Sequence, residues 1–414
     1  MFDATRFGRR CLNCSQTLPQ KHHMNPPNAS TWLNRHDAQL SELKTLCGTA
    51  TPREWMPWAD RVEQQVPIYD CRELRNRLAQ APASAQALMA EWVWVWQDGP
   101  GIVVLQHAHD DDALVDAVTR RFETIIEREK STQSGGDHFA QAGANDRVWN
   151  ALEKLCLDDP ALFARYYAND MAAMACRAWL GPGYQVTSQV NNVRPGGMAQ
   201  QPHRDYHLGF CTPEQAQAYP RHVHLTSPTL TLQGAVAHVD MPLESGPTLY
   251  LPHSQKWAHG YLVADRQDVS DYFAQHRVQL PLLKGDAVFF NPALIHAAGH
   301  NRSANIQRMA NLLQVSSAFG RAMESVNRQA MTEAVYPHLQ ALLSEGTLNE
   351  AAAHRAIDAT AEGYAFPTNL DRDPPLGGLA PASPQAVVRQ ALREGWTPAQ
   401  LNEHLAQLAW RRQT

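Results

Sequence analysis

The sequence predicts an α+β fold: an antiparallel β-sandwich or barrel with helices packed on one of its faces. Two observations predict it. From Tyr184 to Val315, short apolar runs alternate with turn residues, the pattern of an all-β unit. The segments before and after carry helical periodicity instead, so one layered unit accounts for all three. Composition agrees. With 44% apolar and 19% charged residues over 414 positions, the chain is globular and can build a core without disulfide or metal staples.

Residues 1–30 mix polar and basic residues around Asn25-Pro-Pro-Asn28 and read as a flexible leader, with Met24 standing beside Met1 as a start. Residues 31–94 read as a helical extension punctuated by Pro52, Pro57, Pro67 and Pro82. Within it, Glu91-Trp-Val-Trp-Val-Trp96 is apolar on every side, so period alone does not separate helix from strand; its tryptophans read as a buried clamp. Asp98-Gly-Pro-Gly101 is a turn, and Ile102–Leu105 a short buried strand. A helix follows from Asp110 to about Lys130, then a loop over 131–146. Asp159-Pro160 pairs an N-cap with a proline at the first helical position, opening a helix that runs to about Leu180 and closes at Gly181-Pro-Gly183.

The expected strands are Gln185–Val193, Thr229–Asp240, Thr248–Leu251, Val278–Leu282, Ala287–Phe290 and Met309–Ser316. Beyond 320 the pattern is helical again, interrupted over Leu370–Pro384 by prolines and glycines. Ser383-Pro384 and the capping box Thr397-Pro-Ala-Gln400 open the last two helices.

Charge and cysteine usage narrow the function. A net charge of −5 disfavours nucleic acid as a partner, and no apolar run approaches the ~18 residues of a membrane span. The start of the chain lacks a secretory signal, and the seven cysteines are odd in number and irregularly spaced. Reduced thiols in a cytoplasmic protein are the expectation, with Cys11-x-x-Cys14 an incidental spacing. Histidine is the outlier, with 19 copies.

The informative stretch is Pro202-His-Arg-Asp-Tyr-His207. On a strand, His203 and Asp205 would project to the same side, converging an imidazole nitrogen and a carboxylate oxygen. Such a pair is weak evidence alone. A third ligand from a distant strand would complete a 2-His-1-carboxylate triad, the donor set of non-haem Fe(II). His296 follows the turn-and-strand Leu283–Phe290, and Arg308 heads the next strand, suited to bidentate capture of a carboxylate. Together the four residues read as the ligand order of an iron and 2-oxoglutarate enzyme.

Three blocks resemble the phytanoyl-CoA dioxygenase family of Fe(II)/2-oxoglutarate oxygenases. They are Arg194-Pro-Gly-Gly…Pro202-His-Arg-Asp205, then Glu244-Ser-Gly-Pro-Thr-Leu-Tyr-Leu-Pro-His-Ser254, then Lys284-Gly-Asp…His296-Ala-Ala-Gly-His-Asn301…Arg308. The resemblance implies a double-stranded β-helix (jelly-roll, cupin-like) core over 95–320, with helical extensions over 31–94 and 321–414. It implies His203, Asp205 and His296 as iron ligands and Arg308 as the partner of the distal carboxylate of 2-oxoglutarate. Arg302 competes for that role but follows His296 too closely to reach the next strand. Ala298 stands where the family often has a hydroxyl residue, and the small pair Gly234-Ala235 where an aromatic commonly lines the cosubstrate pocket. Gln189, Asn191 and Thr231 are therefore nominated as further cosubstrate contacts. The remaining histidines His222, His224, His238 and His253 read as structural or surface residues, His207 and Tyr206 as substrate or supporting contacts, and Gly196-Gly197 as a turn.

The implied chemistry couples O2 and decarboxylation of 2-oxoglutarate, giving succinate and CO2, to hydroxylation of an unactivated C–H bond in a small organic metabolite. Desaturation, epimerisation or ring closure on the same centre stays open, as does whether the substrate is CoA-linked. Asp205 speaks against a halogenase, which would lack the carboxylate. Two other classes stand beside this one: a cupin-like isomerase or lyase using the triad without 2-oxoglutarate, for which Arg308 has no use, and a non-catalytic binding protein, against which the intact ligand set argues. No nucleic-acid or membrane partner is expected, and the helical extensions are candidates for a homodimer contact.

Overall fold

The computed structural model describes residues 31–132, 145–366 and 369–413. The Cys11/Cys14 pair and most of the 131–146 loop lie outside them.

Eleven strands form two sheets among the described residues. They are β1 (Arg61–Glu63), β2 (Val66–Asp70), β3 (Ile102–Gln106), β4 (Asn145–Val148), β5 (Gln185–Val193), β6 (Thr231–Ala237), β7 (Leu249–Tyr250), β8 (Val278–Gln279), β9 (Ala287–Phe290), β10 (His296–Ala297) and β11 (Arg308–Ser316). The large sheet runs β1-β2-β3-β9-β6-β11-β5-β4 and the small one β10-β7-β8. Every pairing is antiparallel except β2 with β3. That parallel pair needs a crossover, supplied by the helices Cys71–Gln80 and Ala85–Gln97. The two sheets face each other as a double-stranded β-helix.

The register divides each strand of the large sheet by parity. One row across it reads Thr187, Gln314, Gln233, Phe290, Ile102; the next reads Gln189, Leu312, Ala235, Val288, Val104; then come Asn191, Ala310 and Ala237, and finally Val193 and Arg308. These rows face the small sheet. The alternate residues, among them Val186, Val190, Leu232, Val236, Phe289, Leu313 and Val315, belong to a core shared with helices on the other face.

That core joins both ends of the chain. The helices Arg328–Ser344, Glu350–Thr360, Pro384–Glu394 and Pro398–Arg411 bury Met331, Val335, Ile357, Val388 and Leu405 in the same cluster as Leu152, Phe163 and Met171. Both C-terminal helices start as their caps predict: Ser383 accepts from Ala386 N–H, and Thr397 and Gln400 form the capping box.

Three expectations are corrected. Residues 61–70, expected within a helical extension, form β1 and β2 and lengthen the large sheet; Val66 and Ile68 are buried against β3. The single helix expected from Asp159 to Leu180 is two, Pro160–Tyr167 and Asp170–Leu180. Asn169 breaks it by capping Ala172 N–H while its own amide donates to the Ala108 carbonyl at 2.7 Å. The end of the expected 131–146 loop is an edge strand, β4.

The tryptophan run is helical, because Leu88, Glu91, Trp92, Val95 and Trp96 are buried at the 3.6-residue period. Trp96 donates its indole N–H to the Phe289 carbonyl at 3.1 Å, clamping this helix to β9.

Candidate metal centre

The centre begins with a backbone ladder that strand assignment almost misses. After β5, Gly196 turns the chain at φ +84°, and residues 196–205 run antiparallel to 292–301. Gly196 N–H donates to Asn301 O at 2.8 Å, Gln200 to Ala298 at 3.0 Å, His203 to His296 at 3.0 Å, and Asp205 to Pro292 at 3.1 Å. The expectation that His203 and Asp205 sit on a regular strand is therefore corrected. They lie on an extended segment with one formal bridge, His203 to His296. Residues two apart still project alike there. Asn301 fixes the loop, donating to the carbonyls of Val193 and Ile306 and accepting from Ser303.

His203, Asp205 and His296 converge, with one potential ligand atom from each lying within 4.8 Å of the others. Imidazole Nε2 of His203 is 3.6 Å from Asp205 Oδ1, and that of His296 is 3.4 Å from Oδ2. Each ring is locked behind. His203 Nδ1 meets the Gln201 carbonyl at 2.8 Å and His296 Nδ1 the Leu294 carbonyl at 2.9 Å. A carbonyl only accepts, so Nδ1 donates to it and Nε2 is the atom turned toward Asp205, where a metal would meet it. Burial alone would raise the Asp205 carboxyl; the two imidazoles and a hydrogen bond from Gln233 outweigh it and hold the group well below the usual carboxylate range. Burial, then the neighbouring His296, lowers His203. A divalent cation needs the carboxylate ionised, as it is here, and would take the place of a proton at each imidazole Nε2.

The triad opens onto a cavity of about 600 Å³ between the sheets. Phe290 packs edge-on against His296 at 4.8 Å. Arg308, at the head of β11, lines the same cavity and is 7% exposed. Its guanidinium makes only long contacts, 3.4 Å each, to the carbonyls of Ser245 and Gly299, and no carboxylate among the described residues pairs with it. Burial drops it to about 10. Arg302, the competitor, is exposed.

Of the nominated contacts, Gln189 and Asn191 line the cavity and Thr231 does not. Thr231 pairs with Ser316 at the far end of β6, where its carbonyl accepts from Trp179. Gln189 is held by Arg147, whose guanidinium donates to Oε1 at 2.9 Å. Ala298 and Ala235 both line the cavity, so small residues widen it at those two positions. Tyr206 and His207, at positive φ of +62° and +40°, are not among the residues that line the cavity. His224, His238 and His253 are buried and hydrogen-bonded, and His222 is exposed. Sequence reasoning missed Gln233 and Gln314. For Gln233 the signal was there, since it is the one amide of β6; Gln314 shares β11 with Asn311, and only the sheet register sets the two on opposite faces.

The phytanoyl-CoA dioxygenase profile matches residues 70–310, from the end of β2 to the start of β11. The chain belongs to the phytanoyl-CoA dioxygenase family. As a member of that family it is an enzyme whose cofactor is Fe(II), with 2-oxoglutarate and O2 as cosubstrates, and the donor set of the triad fits the metal. Dioxygenase trt7 of Aspergillus terreus is 25% identical to it over 214 residues, 50% of this chain and 67% of that one. The multifunctional dioxygenase ausE of Emericella nidulans is 27% identical over 175 residues, 40% and 55% respectively. The α-ketoglutarate-dependent carbocyclase SnoK from nogalamycin biosynthesis is 21% identical, the match covering 60% of this chain and 92% of that one with a TM-score of 0.43. None of this family member's helices, among the described residues, is long and apolar enough to cross a membrane.

Proposed function

We propose that this protein oxidises an unactivated C–H bond of a small organic metabolite, hydroxylating it with release of succinate and CO2. His203, Asp205 and His296 hold Fe(II), and Arg308 binds the distal carboxylate of 2-oxoglutarate. The observation that carries the reading is Arg308: a buried cation on the wall of the triad's cavity, lacking any anionic partner among the described residues. A buried unpaired charge is costly, and a carboxylate ligand removes that cost. The same observation disfavours a 2-oxoglutarate-independent isomerase or lyase.

When bound, iron and 2-oxoglutarate together supply the activation of O2. The chain's own residues do the rest. The Gln201 and Leu294 carbonyls orient the two imidazoles. Asp205 neutralises part of the metal's charge. Asn191, whose amide makes no hydrogen bond within the described residues, lies one register row from Arg308 and gives the cosubstrate a second polar contact. Gln189, already engaged by Arg147, positions that wall instead. Phe290 and Val288 supply apolar wall that keeps the cavity beside the triad dry.

An anaerobic titration of the apo-protein with Fe(II) and 2-oxoglutarate tests this through the visible metal-to-cosubstrate charge-transfer band. The expected result is a band in the wild type that weakens in both Arg308→Ala and Asp205→Ala. Fe(II) binding without a band would favour the isomerase or lyase reading, and no metal binding would overturn the triad.

A further inference from the structure

The cavity wall carries two amides that the chain does not satisfy. Gln233 on β6 and Gln314 on β11 are directly opposite in register, a pairing that sets their Cβ atoms about 5 Å apart on the cavity face. They are 5% and 7% exposed. Gln233 Nε2 donates to Asp205 Oδ2, and an ionised carboxylate only accepts, so the amide cannot be flipped. Its Oε1 is therefore fixed as an acceptor, buried and without a partner among the described residues. The Gln314 side chain makes no hydrogen bond at either end among those residues, and its Oε1 is likewise buried. Gln189, on the neighbouring row, shows what a wall glutamine with a structural role does: Arg147 ties it down.

The two amides also lie at one end of the cavity, beside the triad. Gln233 touches Asp205, whereas Arg308 stands three register rows away along β11 from Gln314. The Arg308 end belongs to the cosubstrate, so the glutamine end faces whatever enters beside the metal. Phe210 and Met323 line the cavity as well.

Resting on the function proposed above, we infer that Gln233 and Gln314 form a substrate-recognition pair. The substrate carries a hydroxyl or N–H group next to the carbon that reacts. Gln233 Oε1 accepts from that group, and Gln314, free to donate and accept, binds it or its neighbour. Water pairs both amides in the free enzyme, and an entering molecule must replace those bonds. A bare alkyl or acyl chain cannot, and leaves two buried amides unpaired. The class of substrate is thus a molecule bearing hydroxyl or N–H groups beside its reacting carbon, not the bare methylene stretch of a lipid.

Fragment binding by saturation-transfer NMR tests this, using trans-cyclohexane-1,2-diol, its dimethyl ether and methylcyclohexane. The protein is full length, metal-free in one arm and loaded with Zn(II) and 2-oxoglutarate in the other. The variant is Gln314→Met, which keeps the volume of the side chain, with Gln314→Leu as a second and thermal melts to verify folding. The expected result is transfer to the diol alone in both arms, reduced at least about fivefold in the folded variants. Equal transfer to the ether or the hydrocarbon, or diol binding that survives in the folded variants, overturns the inference. Binding of Zn(II) and 2-oxoglutarate is read separately by calorimetry. Its failure would strike the proposed function, while the metal-free arm would still judge the glutamine pair.

Discussion

His203 and His296 exchange both backbone hydrogen bonds, each N–H to the other's carbonyl, at 3.0 and 3.1 Å. In antiparallel pairing such residues stand side by side, and the two imidazole centroids are 4.5 Å apart. Two ligands 93 positions apart in sequence are thus aligned by main chain, before any metal arrives. Preorganisation of this kind predicts that support around the ligands matters almost as much as the ligands.

Gln233→Leu removes the hydrogen bond that fixes the Asp205 carboxylate. Fe(II) affinity should fall by roughly 10- to 100-fold, the usual cost of losing an outer partner of a ligand. Anaerobic calorimetry with Fe(II) reads this, and unchanged affinity would show that the imidazoles alone hold the carboxylate.

Arg308→Met should separate binding from stability. The loss of a bidentate partner weakens 2-oxoglutarate by about 2–5 kcal/mol. Burial disfavours the charged guanidinium, lowering it to about 10, so replacement by an apolar side chain of similar length should raise the melting temperature of the apo-protein. A lowered melting temperature would mean that the contacts to Ser245 and Gly299 are structural.

Acid should destabilise the fold through two histidines remote from the metal. His238 is pushed down to about 3 and His109 to about 4, both by burial first. Thr119 Oγ donates to the Val115 carbonyl, so His238 Nδ1–H donates to Thr119 and Nε2 accepts from Tyr166. Both rings are neutral when folded, and titrate near 6.5 when unfolded. The unfolded chain therefore binds more protons below pH 6.5. Stability falls with pH from there, by up to about 1.4 kcal/mol per pH unit for each ring, until the folded values are reached. Urea unfolding of His109→Phe at pH 4.5 and 7 should show a smaller loss than the wild type.

Gly285→Ala should destabilise by about 2–3 kcal/mol. Gly285 turns the chain into β9 at φ +87°, accepts from His109 N–H at 2.9 Å, and a Cβ there would strike the His109 carbonyl. Denaturant midpoints measure the loss; a neutral result would mean that the turn shifts away from residue 109.

Much of this was legible along the chain because it is local. β5 and β9 have the bounds their alternation and turns indicate, and the caps at Ser383 and Thr397 act as their side chains dictate. The triad was legible through spacing and family resemblance. What stayed hidden is non-local. β1, β2 and β4 are short and polar-flanked, and only their neighbours in the sheet make them strands. The break at Asn169 depends on a carbonyl 61 residues away. Thr231 and Gln233 share a strand face, and nothing in the sequence says that one reaches the cavity and the other the sheet's far end.

The parity of β11 has a consequence for how such an enzyme changes. Arg308, Ala310, Leu312 and Gln314 address the cavity, while Met309, Leu313 and Val315 anchor the helices behind it. Single-residue insertions or deletions would swap the two sets and are closed to evolution. Replacements at the cavity positions beyond Arg308 are open, and leave the scaffold untouched. The strand is in effect an interleaved pair of texts, one written for the fold and one for the substrate, and only the second is free to be rewritten.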